Sequence, residues 1–380
     1  MKRLARTSPQ ERGDVLRIAA EKYGLAPALI EKDFWVCWTL QQLFALPEVA
    51  PHLLFKGGTS LSKVYGAIQR FSEDVDISLS RDFVRPGAGD AAEAQPLSNT
   101  RRKKEIETLV ASFHQTVADV VLPRLRTAIQ GELGTEAHAR WRLEPDMADA
   151  GTLLFVYPAG IGKMEETPPY NAPAVRIEMG GRSDTWPGNT GIVKPYAAQV
   201  VPQAFETAEV SVRVLALERT FWEKATLLHN EFYRPEQKRR GERISRHYYD
   251  LAQLADHPEM GARSLAVRSL LDRVVEHKTL YYNDSWSRYA EAANGAIRLV
   301  PAEREQSRLR GDYQQMRPMF FGQPPDFDDI LSTLTRLERQ INTKGGSLGY
   351  GLECVVAEEA CLLPALEACA WKRSRKQANA

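Results

Sequence analysis

Cysteine is scarce in this chain: among 380 residues there are four, Cys37, Cys354, Cys361 and Cys369, and no two form a CxxC pair. With seven histidines that show no HxxxH spacing, this leaves no zinc signature, and reduced thiols serving as small packing residues are the simple reading. Charge of one sign is missing too. Fifty Lys and Arg against forty-nine Asp and Glu leave a net +1, so any footprint for nucleic acid must come from local clustering. No window approaches the roughly 18 apolar residues of a membrane span, and the first twenty residues hold no apolar run of signal-peptide length, so the protein reads as cytosolic. No internal repeat is visible. What remains is ordinary globular material, 43% hydrophobic and 26% charged, long enough for two to three domains at about 150 residues each.

The patterning indicates an α+β fold: a mixed sheet flanked by helices, followed by a mainly helical domain. Ser8 to about Phe44 carries two helices, the first opened by a Ser cap ahead of Pro and Glu. Pro47 and Pro51 break the second. His52 to Phe55 is then a short apolar strand that meets Gly57-Gly58 and a new helix from Thr59 to about Ile68. Residues 73–79 alternate strictly and predict a half-buried strand. Residues 85–99 read as an exposed loop, 100–130 as one long helix, and 140–144, 152–157 and 174–179 as strands. Residues 184–203, with three prolines and two glycines, look like a crossover. The expected organisation is a sheet domain over 1–209 with a helical insertion near 100–130, a helical domain over 210–342, and an appended tail over 343–380.

Chemistry concentrates in one stretch. On a strand, side chains alternate faces, so Val75, Ile77 and Leu79 point into a core while Asp74 and Asp76 project together on the other side. Such a pair is either solvated at an edge or bridged by a hard divalent ion, Mg²⁺ or Mn²⁺, whose coordination a phosphate completes. Upstream, Gly57-Gly58 lets a ligand approach the backbone, and Thr59 and Ser60 either cap the following helix or donate to phosphate oxygens. Glu178, on the strand face opposite Val175, Ile177 and Met179, is either a third metal ligand or the partner of Arg176.

Two further positions stand out. Leu217, Phe221 and Leu228 form an apolar helical stripe with Lys224 in its middle, so that lysine either snorkels to water or carries charge into a cleft. In the next helix Asp250 flanks the stripe of Tyr248, Leu251 and Ala255 and is placed to orient Lys224 or a substrate hydroxyl. Between these helices Arg234, Lys238, Arg239, Arg240, Arg243, Arg246 and His247 interleave with Tyr233, Tyr248 and Tyr249. That composition suits either a solvated loop or an RNA backbone with a stacking surface, which Arg101 to Lys104 would extend.

At the stretches 30–35 (IEKDFW), 55–61 (FKGGTSL), 70–76 (RFSEDVD) and 220–225 (TFWEKA), the sequence resembles the AbiEii/AbiGii toxin family of nucleotidyltransferases, in the DNA polymerase β-like superfamily. The resemblance spans about Ala20 to Ile341, and the superfamily's usual Gly-Ser is here Gly58-Thr59. It implies a minimal nucleotidyltransferase fold, with Asp74, Asp76, Lys224 and Asp250 as the catalytic set. Asp74, Asp76 and Glu178 would hold Mg²⁺ or Mn²⁺, and Lys56, Gly57, Gly58, Thr59, Ser60 and Lys224 would meet the nucleotide. It further implies transfer from an NTP to an RNA acceptor, the 3′ end of tRNA, by the toxin of a type IV-like toxin–antitoxin or phage-defence system whose antitoxin is encoded nearby. Protein nucleotidylation and a non-catalytic NTP- or antitoxin-binding module are the rival readings.

Overall fold

The computed structural model describes residues 1–87, 98–136, 140–161, 173–239 and 241–345. Most of the loop expected at 85–99, Arg240, and the tail from 346 onward lie outside those residues.

The chain opens with helices α1 (Lys2–Arg6), α2 (Pro9–Tyr23) and α3 (Pro27–Phe44). Ser8 and Glu11 form a reciprocal capping box at the start of α2, which Gly24 ends in the left-handed conformation. Strand β1 (Leu53–Lys56) runs directly into α4 (Gly57–Lys63), and β2 (Val75–Leu79) follows. After the single turn α5 (Arg81–Val84) come α6 (Asn99–Thr116) and α7 (Leu122–Leu133). The sequence predicts one long helix there. Instead a widened π-type turn at Val117–Val121 separates the two, as expected where Pro123 lacks the N–H that would bond back to the preceding turn.

Strands β3 (Arg142–Pro145), β4 (Thr152–Val156), β5 (Ala174–Gly180), β6 (Gly188–Val193) and β7 (Val210–Leu215) complete a seven-stranded sheet in the order β3-β4-β5-β2-β1-β7-β6. Strand β2 pairs antiparallel with β1 and parallel with β5, and β1 pairs parallel with β7. The α+β expectation of a mixed sheet flanked by helices, with a helical C-terminal region, holds. Two details differ. The crossover segment contains edge strand β6, and Val210–Leu215, read from sequence as the start of the helical region, is a strand inside the sheet.

One sheet face carries Val75, Ile77, Val175, Ile177 and Phe155, all fully buried beneath α3 and its neighbours in the first hydrophobic core. Trp38 stacks on Phe155 with ring centroids 5.5 Å apart. The short helix α8 (Ala197–Val200), between β6 and β7, packs in the first core, and a second core joins Leu61 of α4 to the helices after the sheet: α9 (Leu217–Tyr233), α10 (Ser245–Asp256), α12 (Ser269–Tyr281), α14 (Glu303–Gln315) and α15 (Phe327–Gly345), with α11 (Pro258–Ala266) and α13 (Tyr289–Ala293) between them. Among the described residues no helix is long and apolar enough to cross a membrane.

Candidate active site

The polar face of the sheet holds a row of aligned side chains. Register places Lys56 of β1 opposite Asp76 of β2, Asp76 opposite Glu178 of β5, and Glu178 opposite Thr152 of β4. Cross-strand partners point the same way, so Lys56, Asp76 and Glu178 share one surface, and Asp74 joins them two residues upstream of Asp76. The carboxylates repel. Burial, then the charges of Asp74 and Glu178, push the Asp76 carboxyl up to about 7. Glu178 is raised by burial and by Asp74, although Arg176 Nε lies 3.4 Å from its Oε1. Arg246 approaches Asp74 at 3.5 Å, whereas Asp76 has no ion-pair partner among the described residues.

These acids are not drawn into a ready-made cage: among the described residues no three His, Cys, Asp or Glu side chains converge as a metal-binding group. The donor chemistry nevertheless fits a hard cation. Carboxylate oxygens are its preferred ligands, and a divalent ion among them removes the repulsion that raises Asp76 and Glu178.

The glycine turn is built around this row. Gly57 has φ +78°, and a Cβ there would lie 1.8 Å from Asp76 Oδ2, so only glycine lets the carboxylate pack against the backbone. At Gly58 a Cβ would stand 2.6 Å from Arg70 Nη2 and 2.8 Å from Ser72 Oγ. The hydroxyls of the next two residues face inward. Thr59 Oγ1 donates to the Asp74 carbonyl at 2.6 Å and lies within hydrogen-bond distance of Ser72 Oγ at 3.0 Å, and Ser60 Oγ donates to the Gly57 carbonyl at 2.9 Å. Both residues are fully buried, so what they visibly do is tie the turn to the strand that bears Asp74. Lys56 Nζ donates to Ser183 Oγ at 2.7 Å.

Behind the turn the lysine anomaly is resolved. Lys224 Nζ donates to Asp250 Oδ2 at 2.8 Å, so the side chain does not snorkel to water. Arg70 grips the same carboxylate through two 2.8 Å bonds, Nε to Oδ1 and Nη2 to Oδ2. Burial pushes the Asp250 carboxyl up, and the two cations outweigh it and hold it below the ordinary carboxylate range. His247, 3.5 Å from Lys224 Nζ, is held well below its usual value by burial and by the neighbouring cations. Gly58, Arg70, Asp250 and Lys224 therefore form one connected chain. Sequence reasoning missed Arg70, although it lies within the RFSEDVD stretch, because its partner is 180 positions away.

The run Glu31-Lys32-Asp33 is buried and ties α3 to four other segments. Glu31 accepts from the Gly160 and Ile161 N–H groups at 2.7 and 3.0 Å, Lys32 donates to Glu73 at 2.6 Å, and Asp33 accepts from Lys63 of α4 at 2.6 Å and from the Tyr196 N–H at 2.7 Å. Glu73 also accepts from Arg243 at 2.6 Å, and it is drawn below its usual range because Lys32 and Arg243 outweigh its burial. The basic run between α9 and α10 is largely paired: Arg234 faces Glu231, Arg239 faces Glu236 and Glu305, Arg243 faces Glu73 and Arg246 faces Asp74. Its arginines brace the site more than they offer an open positive surface.

A sequence model described as "Nucleotidyl transferase AbiEii toxin, Type IV TA system" matches residues 38–333, more than half of the chain. No curated protein matches. Among solved structures, MenT4, a nucleotidyltransferase toxin from Mycobacterium tuberculosis H37Rv, is similar at 16% identity over 87% of this chain and 98% of its own, with a TM-score of 0.39.

Proposed function

Because the chain belongs to the AbiEii family of nucleotidyltransferase toxins of type IV toxin–antitoxin systems, it is a nucleotidyltransferase, and we propose that it moves a nucleotide from an NTP to a hydroxyl of RNA, the 3′ end of a tRNA. The observation that carries this reading is the aligned row Lys56–Asp76–Glu178 beside Asp74, abutted by a glycine turn that no other residue could form.

In this reading Asp74, Asp76 and Glu178 hold a divalent cation, Mg²⁺ or Mn²⁺, which when bound offsets charge on the phosphates. Gly57 and Gly58 bring backbone close to the polyphosphate, with Lys56 on its flank; Thr59 and Ser60 fix the turn's shape. Lys224 adds positive charge from behind the turn, held in place by Asp250 and Arg70. The acceptor oxygen bonds to the α-phosphorus as the α–β bridge breaks, pyrophosphate departs with the bonding electrons, and the hydroxyl proton leaves to water. The residues contribute positioning and charge. A cognate antitoxin is the expected partner, and the protein is expected to work in the cytoplasm.

The test is transfer of label from each of the four α-³²P NTPs into total RNA in the presence of Mg²⁺, comparing the native chain with Asp76→Asn. Label in a discrete tRNA band that the variant loses supports the reading. Label on protein in place of RNA moves the acceptor to a protein hydroxyl, and growth arrest that survives Asp76→Asn contradicts an enzymatic toxin.

A further inference from the structure

Most cations around the carboxylate row are held by hydrogen bonds. Lys56 donates to Ser183 Oγ at 2.7 Å, Arg176 to Asp146 at 2.6 Å, Arg243 to Glu73 at 2.6 Å, and Arg70 and Lys224 to Asp250 at 2.8 Å. Arg246 is the exception. Its Nη1 approaches Asp74 Oδ2 at 3.5 Å, and among the described residues its side chain makes no hydrogen bond and is 31% exposed. Yet its charge reaches the whole row, opposing the rise of both Asp76 and Glu178.

The backbone that carries Arg246 is fixed from two sides. Asp312 of α14, itself buried, accepts from the N–H groups of Arg243 and Ser245, the second at 2.8 Å, and so pins the start of α10. Arg243 there takes a φ of +65°, a conformation that long side chains seldom adopt. One turn on, Asp250 is gripped by Arg70 and Lys224. The freedom of Arg246 therefore lies in its side chain.

Asp74 cannot serve two positive groups equally well. In the nucleotidyltransferase reading its carboxylate holds a divalent cation, and a guanidinium at the same oxygen is then repelled by that charge. A polyphosphate that shares the cation offers the guanidinium a better partner, because phosphate oxygens accept from two of its N–H groups at once. We propose that Arg246 is a phosphate-binding residue of the transfer reaction, whose guanidinium leaves Asp74 for the polyphosphate of the NTP as Asp74 takes up the cation. Arg246 then opposes the cation alone and favours the cation together with the nucleotide, which couples the two binding events. This assignment rests on the NTP reading above.

The experiment compares the native chain with Arg246→Gln and Arg246→Lys in two binding measurements at pH 8. Mn²⁺ affinity without nucleotide is read from the rise in melting temperature, and affinity for each of the four α,β-methylene NTPs in saturating Mn²⁺ is read by calorimetry. Arg246→Gln is expected to bind Mn²⁺ several-fold tighter and the nucleotide roughly tenfold weaker. Arg246→Lys, which keeps the charge and loses the fork, is expected to match the native chain for Mn²⁺ and to bind the nucleotide about threefold weaker. KM for RNA should stay within about twofold in both variants. The opposite signs in Arg246→Gln separate this role from a structural one, since a damaged site weakens both ligands. Weaker binding of both, nucleotide binding that is unchanged or tighter, or a rise confined to KM for RNA overturns the role of Arg246 alone. A native chain that binds none of the four analogues overturns the NTP reading, and the assignment falls with it.

Discussion

Two clusters of charge lie on either side of the glycine turn, and they are opposites. In Arg70–Asp250–Lys224 one carboxylate is shared by two cations, every member is buried, and each charge meets an opposite one, with one positive charge in excess. In Asp74–Asp76–Glu178 the charges have one sign, and burial raises Asp76 and Glu178 further. A cluster in which each charge meets an opposite one holds its shape without a ligand. A row whose carboxylates repel, with Arg246 and Arg176 reaching its ends but no ion-pair partner for Asp76 among the described residues, is held at a cost by the fold around it, and that cost is returned when something positive binds. The first cluster fixes the turn from behind; the second opens at Asp74 to a cleft of 550 Å³.

The contrast breaks most sharply at Asp76. Asp76→Asn is expected to lower transfer about 10³-fold while leaving the fold intact, checked by activity together with thermal melting. Because folding raises this carboxyl, the folded state binds the extra proton, and its contribution to stability falls as pH rises from about 4 to about 7 and levels off above that. The variant should therefore melt no lower than the native chain at pH 8. Asp250→Ala should do the opposite to the fold, costing about 3–5 kcal/mol in denaturant melts, because it strands two buried cations. A stable Asp250→Ala protein would show that the second cluster is not structural.

A smaller effect is expected at the link between the clusters. Gly57→Ala must either displace the Asp76 carboxylate or abandon a φ of +78°, and it should cost roughly 10²-fold in activity with about 1–2 kcal/mol in stability. Smallest is an acid effect away from the row. Asp184 is held at about 2: its burial is outweighed by the hydrogen bond from Arg273 and the charge of Arg219. Its folded value lies below the unfolded one, so the stability it confers is present above about pH 4 and drains away as pH falls towards 2. A melting gap of a few degrees between native and Asp184→Asn at pH 6 should narrow steadily as pH falls from about 4 towards 2.

Much of this contrast was legible in the sequence. The alternation at 73–79 set Asp74 and Asp76 on one face, and the stripe of α9 exposed Lys224 as a cation needing a partner, with Asp250 already marked beside it. What escaped depended on pairing across long separations. Arg70 has no local anomaly to betray it. Glu31-Lys32-Asp33 looks like an ordinary charged helix stretch until each side chain is seen to meet a different distant segment. Strand β7 has clear alternation at Val210, Val212 and Val214, but it runs within two residues into α9 and was absorbed by the helical pattern. Strand β6, an edge strand of Gly188, Asn189, Thr190 and Gly191 before its first buried valine, carries almost no strand propensity of its own.

The most direct test of the central contrast is the melting temperature of the native chain, Asp76→Asn and Asp250→Asn as Mn²⁺ is titrated at pH 8. A cation that relieves the carboxylate row should raise melting in the native chain and in Asp250→Asn, and leave Asp76→Asn flat. An equal rise in all three proteins, or no rise in the native chain, would contradict the claim that the carboxylate row around Asp76 is a site awaiting positive charge.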